Sequence, residues 1–199
     1  MNISLILAHP DHKSFNHAIA AVALETLEKN KHRVWFHDLY RDQFDPLLPA
    51  EELPKDARLP PEIDKHCAEI AAADGIIIVH PNWWGQPPAI LKGWVDRIIR
   101  PDVAYEFLED DPGEGVPNGL LKAGSAILFN TSNTEIKREM AVFGDPLETL
   151  WKNCIFGLCG VDKFYRKMFT MVVVSSEAQR TSWLEEVRQT VSDCFPSSE

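Results

Sequence analysis

Short apolar runs recur along the chain, each bounded by polar or turn residues. They read "ISLILA" (3–8), "HRVWFHD" (32–38), "GIIIVH" (75–80), "GSAILFN" (124–130) and "FTMVVVS" (169–175), and each predicts a strand. Three are apolar almost throughout, as strands covered on both faces should be. Between and after them lie stretches with helical spacing at 15–30, 62–73, 88–100, 145–158 and 177–194; in the first, Phe15, Ile19, Val22 and Ala23 form one stripe. This alternation predicts one α/β domain over 1–199, a doubly wound five-stranded parallel sheet with helices on both faces. Two connections break the rhythm, "FDPLLPAEELPKDARLPPE" (44–62) and "EDDPGEGVPNG" (109–119). Both are too polar and too rich in Pro or Gly for core, which predicts surface loops or arms.

In such a sheet ligands sit beyond the carboxyl ends of the strands, near the point where strand order reverses. The chemically unusual residues fall there: "HPDHKSFN" after the first strand, "HPNWWGQPPAILKGW" after the third and "NTSNTE" after the fourth. The first turn admits two readings. His9, Asp11 and His12 could grip a metal, or the start of the following helix could hold the phosphates of a nucleotide, with Ser14 and Asn16 as caps and Lys13 and a protonated His9 adding charge. Neither the dinucleotide fingerprint nor a P-loop is present.

Composition narrows these choices. At 199 residues and 45% hydrophobic content the chain is long enough for one well-buried core. A formal net charge of -10 argues against nucleic acid and anionic membranes as partners. Cys67, Cys154, Cys159 and Cys194 form no CxxC pair, which predicts reduced, packed thiols. No apolar stretch approaches the roughly 20 residues of a membrane span, and no leader pattern precedes the first strand. A cytoplasmic protein with no membrane insertion is expected. Spacing suggests no Ser–His or Cys–His nucleophilic arrangement.

The metal reading has a resemblance of its own, since "AHPDH" (8–12) is similar to the "AHPDD" opening of zinc-dependent LmbE-type deacetylases. A catalytic zinc takes three protein ligands, and no histidine follows His80. The expected metal set is therefore none.

A far broader resemblance covers nearly the whole chain. "AHPDHKSFN", "DLY" (38–40), "HPNWWGQPPAILKGWVDRI", "VAYEF" (103–107) and "GLLKAGSAILF" recur in order. Together they resemble the flavodoxin-like NAD(P)H:quinone oxidoreductases, the group of DT-diaphorase, the modulator-of-drug-activity and the general-stress-protein reductases. The resemblance implies a flavin, FAD favoured with FMN as the alternative, and NAD(P)H as co-substrate. It implies phosphate contacts from His9, Ser14, Phe15 and Asn16. Against the isoalloxazine it places Pro81, Asn82, Trp83, Trp84 and Gly85, with Trp84 as the stacking or edge-contact residue. Tyr105 and Phe107 match aromatics that reach the partner subunit's substrate pocket in dimeric relatives, or they pack locally.

At the fourth strand the chain departs from its relatives. Where they often show Thr-Thr-Gly-Gly, it reads Asn130, Thr131, Ser132, Asn133, which could still supply donors to the ring's carbonyl edge. The relatives' Tyr–His pair is missing, and Phe143 stands near the histidine's position. The sequence therefore assigns no catalytic residue, and the flavin would carry the redox chemistry to a quinone or similar small-molecule electron acceptor. The family also contains flavin-binding regulatory subunits of potassium-efflux systems, a role that keeps the same site. A homodimer is expected, because helix 88–100 carries Ile90, Leu91, Trp94, Val95, Ile98 and Ile99, more apolar surface than one stripe requires.

Overall fold

A computed structural model describes residues 1–107 and 117–197. Five parallel strands form one sheet: β1 (Asn2–Leu7), β2 (Arg33–Asp38), β3 (Gly75–Pro81), β6 (Ser125–Thr131) and β7 (Lys163–Phe169). Their order is β2-β1-β3-β6-β7, so the sense in which successive strands are added reverses between β1 and β3. The expected doubly wound α/β sheet is what forms. A minor antiparallel ribbon, β4 (Tyr105–Glu106) with β5 (Asn118–Gly119), closes the connection whose middle lies outside the described residues.

The period of two along the strands builds two cores. Ile3, Leu5, Leu7, Ile77, Val79, Ile127 and Phe129 meet α1 (Phe15–Lys29) and α6 (Glu177–Cys194) on one face. Ile6, Ile76, Ile78, Ala126 and Leu128 point the other way. There they meet α2 (Pro61–Ala72), α3 (Ala89–Ile98) and a helical stretch formed by α5 (Pro146–Glu148) and the wider-wound Thr149–Gly157. A further short helix, α4 (Ile136–Arg138), widens in the same way over Glu139–Phe143.

The fifth strand corrects the sequence expectation. It spans Lys163–Phe169 and overlaps the predicted 169–175 only at Phe169. β7 is an edge strand carrying Lys163, Arg166 and Lys167, and an edge tolerates charge that a central strand does not. The β-branched run Val172–Val174 is instead one exposed helical turn, entered through Met171 at φ 56°.

The arm at 44–62 docks on α3. Phe44 and Glu52 are buried. Arg97 Nε donates to Glu52 Oε2 at 2.9 Å, Arg100 donates to the carbonyls of Glu52 and Pro54, and Gly93 lies so close to Pro46 that a Cβ would collide with it. Leu91, Trp94, Val95 and Ile98 are buried within the chain itself, and Ile90 and Ile99 are half-buried. Most of the apolar width of this helix is thus taken up within the chain, while Val95 and Ile99 also border a half-open hollow.

Candidate active site

The carboxyl ends of β1, β3 and β6 open into a cavity of about 730 Å3. Twelve of the thirteen positions expected to touch a cofactor line it: His9, Ser14, Phe15, Asn16, Pro81, Asn82, Trp83, Trp84, Gly85, Thr131, Ser132 and Asn133.

The first wall is the start of α1. Ser14 is its N-cap, its hydroxyl oxygen accepting the His17 N–H, while Phe15 and Asn16 stand at the first two helical positions, whose N–H groups have no partner within a helix. Asn16 Nδ2 donates to Thr131 Oγ1 at 2.9 Å, and its Oδ1 is buried without a partner. Burial, the largest influence, lowers the His9 pKa below its ordinary 6.5, and His9 Nδ1 accepts the Asp11 N–H. The shift disfavours the protonated imidazole that would lend charge to this wall.

This wall also holds a side-chain relay that spacing did not reveal. Ser14 Oγ lies 3.1 Å from His17 Nδ1, and His17 Nε2 lies 3.1 Å from Asp38 Oδ2. The third member arrives from β2, so only the fold brings it near. Because Ser14 Oγ also caps the helix, the relay ties the turn to β2.

The second wall is the turn after β3. Trp83 and Gln86 exchange backbone hydrogen bonds at 3.0 Å, and Asn82 Oδ1 accepts the Gly85 N–H at 2.9 Å. Trp84 and Gly85 adopt left-handed φ of 60° and 71°. A Cβ on Gly85 would strike Pro146, so glycine is required there twice over. Trp84 is 100% exposed, presented at the rim with no packing of its own. Beneath the turn, His80 is fully buried and satisfied at both nitrogens: Nε2 accepts Trp151 Nε1–H at 3.0 Å and Nδ1–H donates to Pro81 O at 2.7 Å. Burial pushes its pKa down to about 4.

The third wall lies past β6. The Asn82 N–H donates to Thr131 O at 2.7 Å, the Ser132 N–H to Phe169 O at 2.8 Å, and Asn133 Oδ1 accepts the Val173 N–H at 3.0 Å. Asn130 is the exception among the expected positions. It is wholly buried on the opposite side of the strand, where its Oδ1 accepts from Arg166 Nε at 3.0 Å, because neighbouring strand residues point to opposite faces. Thr134 and Phe143 complete the lining together with Glu139, Pro146, Val172 and Val173, the last four being residues for which the sequence suggested no place in the site. Tyr105 and Phe107 line a separate hollow of about 250 Å3 with Cys154 and Leu158.

Among the described residues no three potential metal ligands come together, and no helix is long and apolar enough to cross a membrane.

A family model described as flavodoxin-like fold matches residues 1–191. An NAD(P)H oxidoreductase of Haemophilus influenzae is 34% identical over 194 residues, covering 95% of this chain and 93% of the relative. A ribosyldihydronicotinamide dehydrogenase [quinone] of Rattus norvegicus is 30% identical over 213 residues, covering 94% and 90%. The solved NAD(P)H:quinone oxidoreductase from Methanothermobacter marburgensis superposes with a TM-score of 0.83 at 22% identity, over 100% of this chain and 99% of that one. The chain therefore belongs to the flavodoxin-like-fold family of NAD(P)H oxidoreductases and quinone reductases.

Proposed function

We propose that this oxidoreductase binds a flavin in the large cavity, FAD in the first place and FMN as the alternative, and passes reducing equivalents from NAD(P)H to a quinone or similar electrophile. The observation that carries the reading is the convergence of three turns on one cavity of about 730 Å3, a volume suited to a flavin and one stacked reactant. Bound flavin would supply the two-electron chemistry between nicotinamide and acceptor.

The chain's residues suit such a guest. The free N–H groups of Phe15 and Asn16 favour a phosphate at the positive end of α1. The unpartnered Oδ1 of Asn16 awaits a hydroxyl or N–H donor. Trp84 offers an indole face, and Thr131 to Asn133 bring polar groups to the opposite wall.

A visible spectrum of the purified protein, mass identification of the released cofactor and an assay of NADH- and NADPH-dependent quinone reduction test the proposal together. Absence of flavin bands after reconstitution with FAD and with FMN would refute it. Within that test, Trp84→Ala should weaken flavin retention by about tenfold, the worth of one aromatic contact, at unchanged melting temperature. Retention equal to that of the parent protein would make Trp84 scaffold.

A homodimer belongs to the same proposal. Its support is the half-open apolar hollow around Tyr105, Phe107 and Leu158, with Phe107 53% exposed. Light scattering showing a monomer with full activity would exclude a shared site.

A further inference from the structure

Glu139 is the one carboxylate among the described residues that line the large cavity, and it is 2% exposed. Burying a carboxylate is costly unless hydrogen bonds meet it. Glu139 Oε1 accepts from Asn82 Nδ2 at 3.0 Å, and the same amide's Oδ1 accepts the Gly85 N–H at 2.9 Å. The Asn82 side chain is thereby engaged at both ends. Its bond to Glu139 joins the 136–143 helical segment, on one wall, to the turn that forms another.

That turn needs holding. Trp84 is a bulky residue at φ 60°, followed by Gly85 at φ 71°, and an L residue persists there only where its surroundings over-determine it. The indole supplies no such restraint, since it is wholly exposed. What remains is the Trp83–Gln86 backbone pair, the Asn82 amide on Gly85, and behind that amide the Glu139 carboxylate. A charged acceptor makes the stronger hydrogen bond, which fixes the amide so that its oxygen faces Gly85.

We propose that Glu139 is a positioning residue that, acting through Asn82, holds the Trp84–Gly85 turn in the shape it presents to the cavity. The part of the proposal that concerns ligand rests on the flavin reading, whereas the part that concerns the turn does not.

The test uses the full chain in four variants: Glu139→Ala, Glu139→Gln, Asn82→Asp, and Asn82→Asp combined with Glu139→Gln. Two quantities are read: hydrogen exchange of the Gly85 amide in ligand-free protein, and the dissociation constants of FMN and FAD. Glu139→Ala should speed Gly85 exchange and weaken flavin binding by about tenfold each, while Glu139→Gln, which keeps an acceptor oxygen, should stay within about twofold. Asn82→Asp sets two carboxylates face to face and should be at least as impaired as Glu139→Ala. The double variant restores the bond with its direction reversed, the introduced glutamine amide now donating to the introduced aspartate carboxylate, and should recover most of both quantities. A merely space-filling Glu139 would show no such rescue. Parental exchange in Glu139→Ala, or a folded double variant no better than Asn82→Asp alone, would overturn the proposal. Should Glu139→Ala fail to fold, the comparison of Asn82→Asp with the double variant decides. If Gly85 exchange follows the pattern while no variant, nor the parent, binds flavin, the positioning role stands and the flavin reading falls.

Discussion

Beneath α1 and α6 the sheet meets hydrocarbon and rings: Ile19, Ala23, Leu27, Val187 and Val191 close over Leu5, Ile77 and Phe129. On the opposite face the same strands meet an interior with polar groups built into it. Trp94 Nε1–H donates to His66 Nδ1 at 3.0 Å, Trp151 Nε1–H donates to His80, and the buried Arg97 and Glu52 form an ion pair. The first face gains its stability from non-directional contact, which tolerates modest change of shape. The second depends on every donor finding its acceptor, so removal of one partner strands the other. The site's turn after β3 stands on the second kind of face, with His80 directly under Pro81.

The largest effect that separates the faces should come from Arg97→Met, which leaves the Glu52 charge buried without its partner. A loss of about 3–5 kcal/mol in urea unfolding is expected, much of it regained when Glu52→Leu is added. Equal losses in the single and double variants would mean that packing of the Arg97 stem, not its charge, is what the arm needs.

Next comes acid. Burial holds His66 and His80 down to about 4 against an ordinary 6.5, so between those limits the unfolded chain takes up protons that the folded one refuses. Stability should therefore be full above about pH 6.5 and fall toward pH 4, by up to about 1.4 kcal/mol per pH unit for each histidine. His66→Gln keeps an acceptor for Trp94 and should flatten the slope by one histidine's share. An unchanged slope in unfolding free energies measured at pH 5, 6 and 7 would remove His66 from the account.

The smallest effect belongs to the apolar face. Ile77→Val deletes one buried methylene and should cost about 0.5–1.5 kcal/mol, with the same value at pH 5 and pH 7. A pH-dependent cost there would dissolve the contrast between the faces.

How much of this the sequence disclosed depends on how local the cause is. The central strands were legible because burial on both faces leaves their middles almost wholly apolar. β7 was not, since an edge strand with three cations lacks that signature while the neighbouring Val172–Val174 imitates it. The turns at 9–16 and 81–85 were legible as neighbours around one cavity because an α/β sheet brings together the connections leaving the carboxyl ends of β1 and β3. Asn130 was misplaced by one residue of strand alternation: Thr131 faces the cavity and Asn130 faces Arg166. Phe143 was reached only through its place opposite the relatives' histidine, and Glu139 escaped, because "EIKREMAVF" has no clean period and meets the cavity only when the 136–143 segment folds back over the β6 turn. His17, on α1, escaped because its partner Asp38 is 21 residues away at the end of β2.

The exposed indole at the rim also reaches beyond binding. Of the six tryptophans, Trp94 and Trp151 are buried, Trp35 and Trp183 half-buried, Trp83 41% exposed, and Trp84 alone stands entirely in water. Its emission should lie to the red of the buried pair and be the first to be quenched by a small solute such as acrylamide. An indole seated at the mouth of a cavity is then a native optical reporter. Loss of its acrylamide-accessible signal would count occupied cavities in real time, with no label attached and no turnover required.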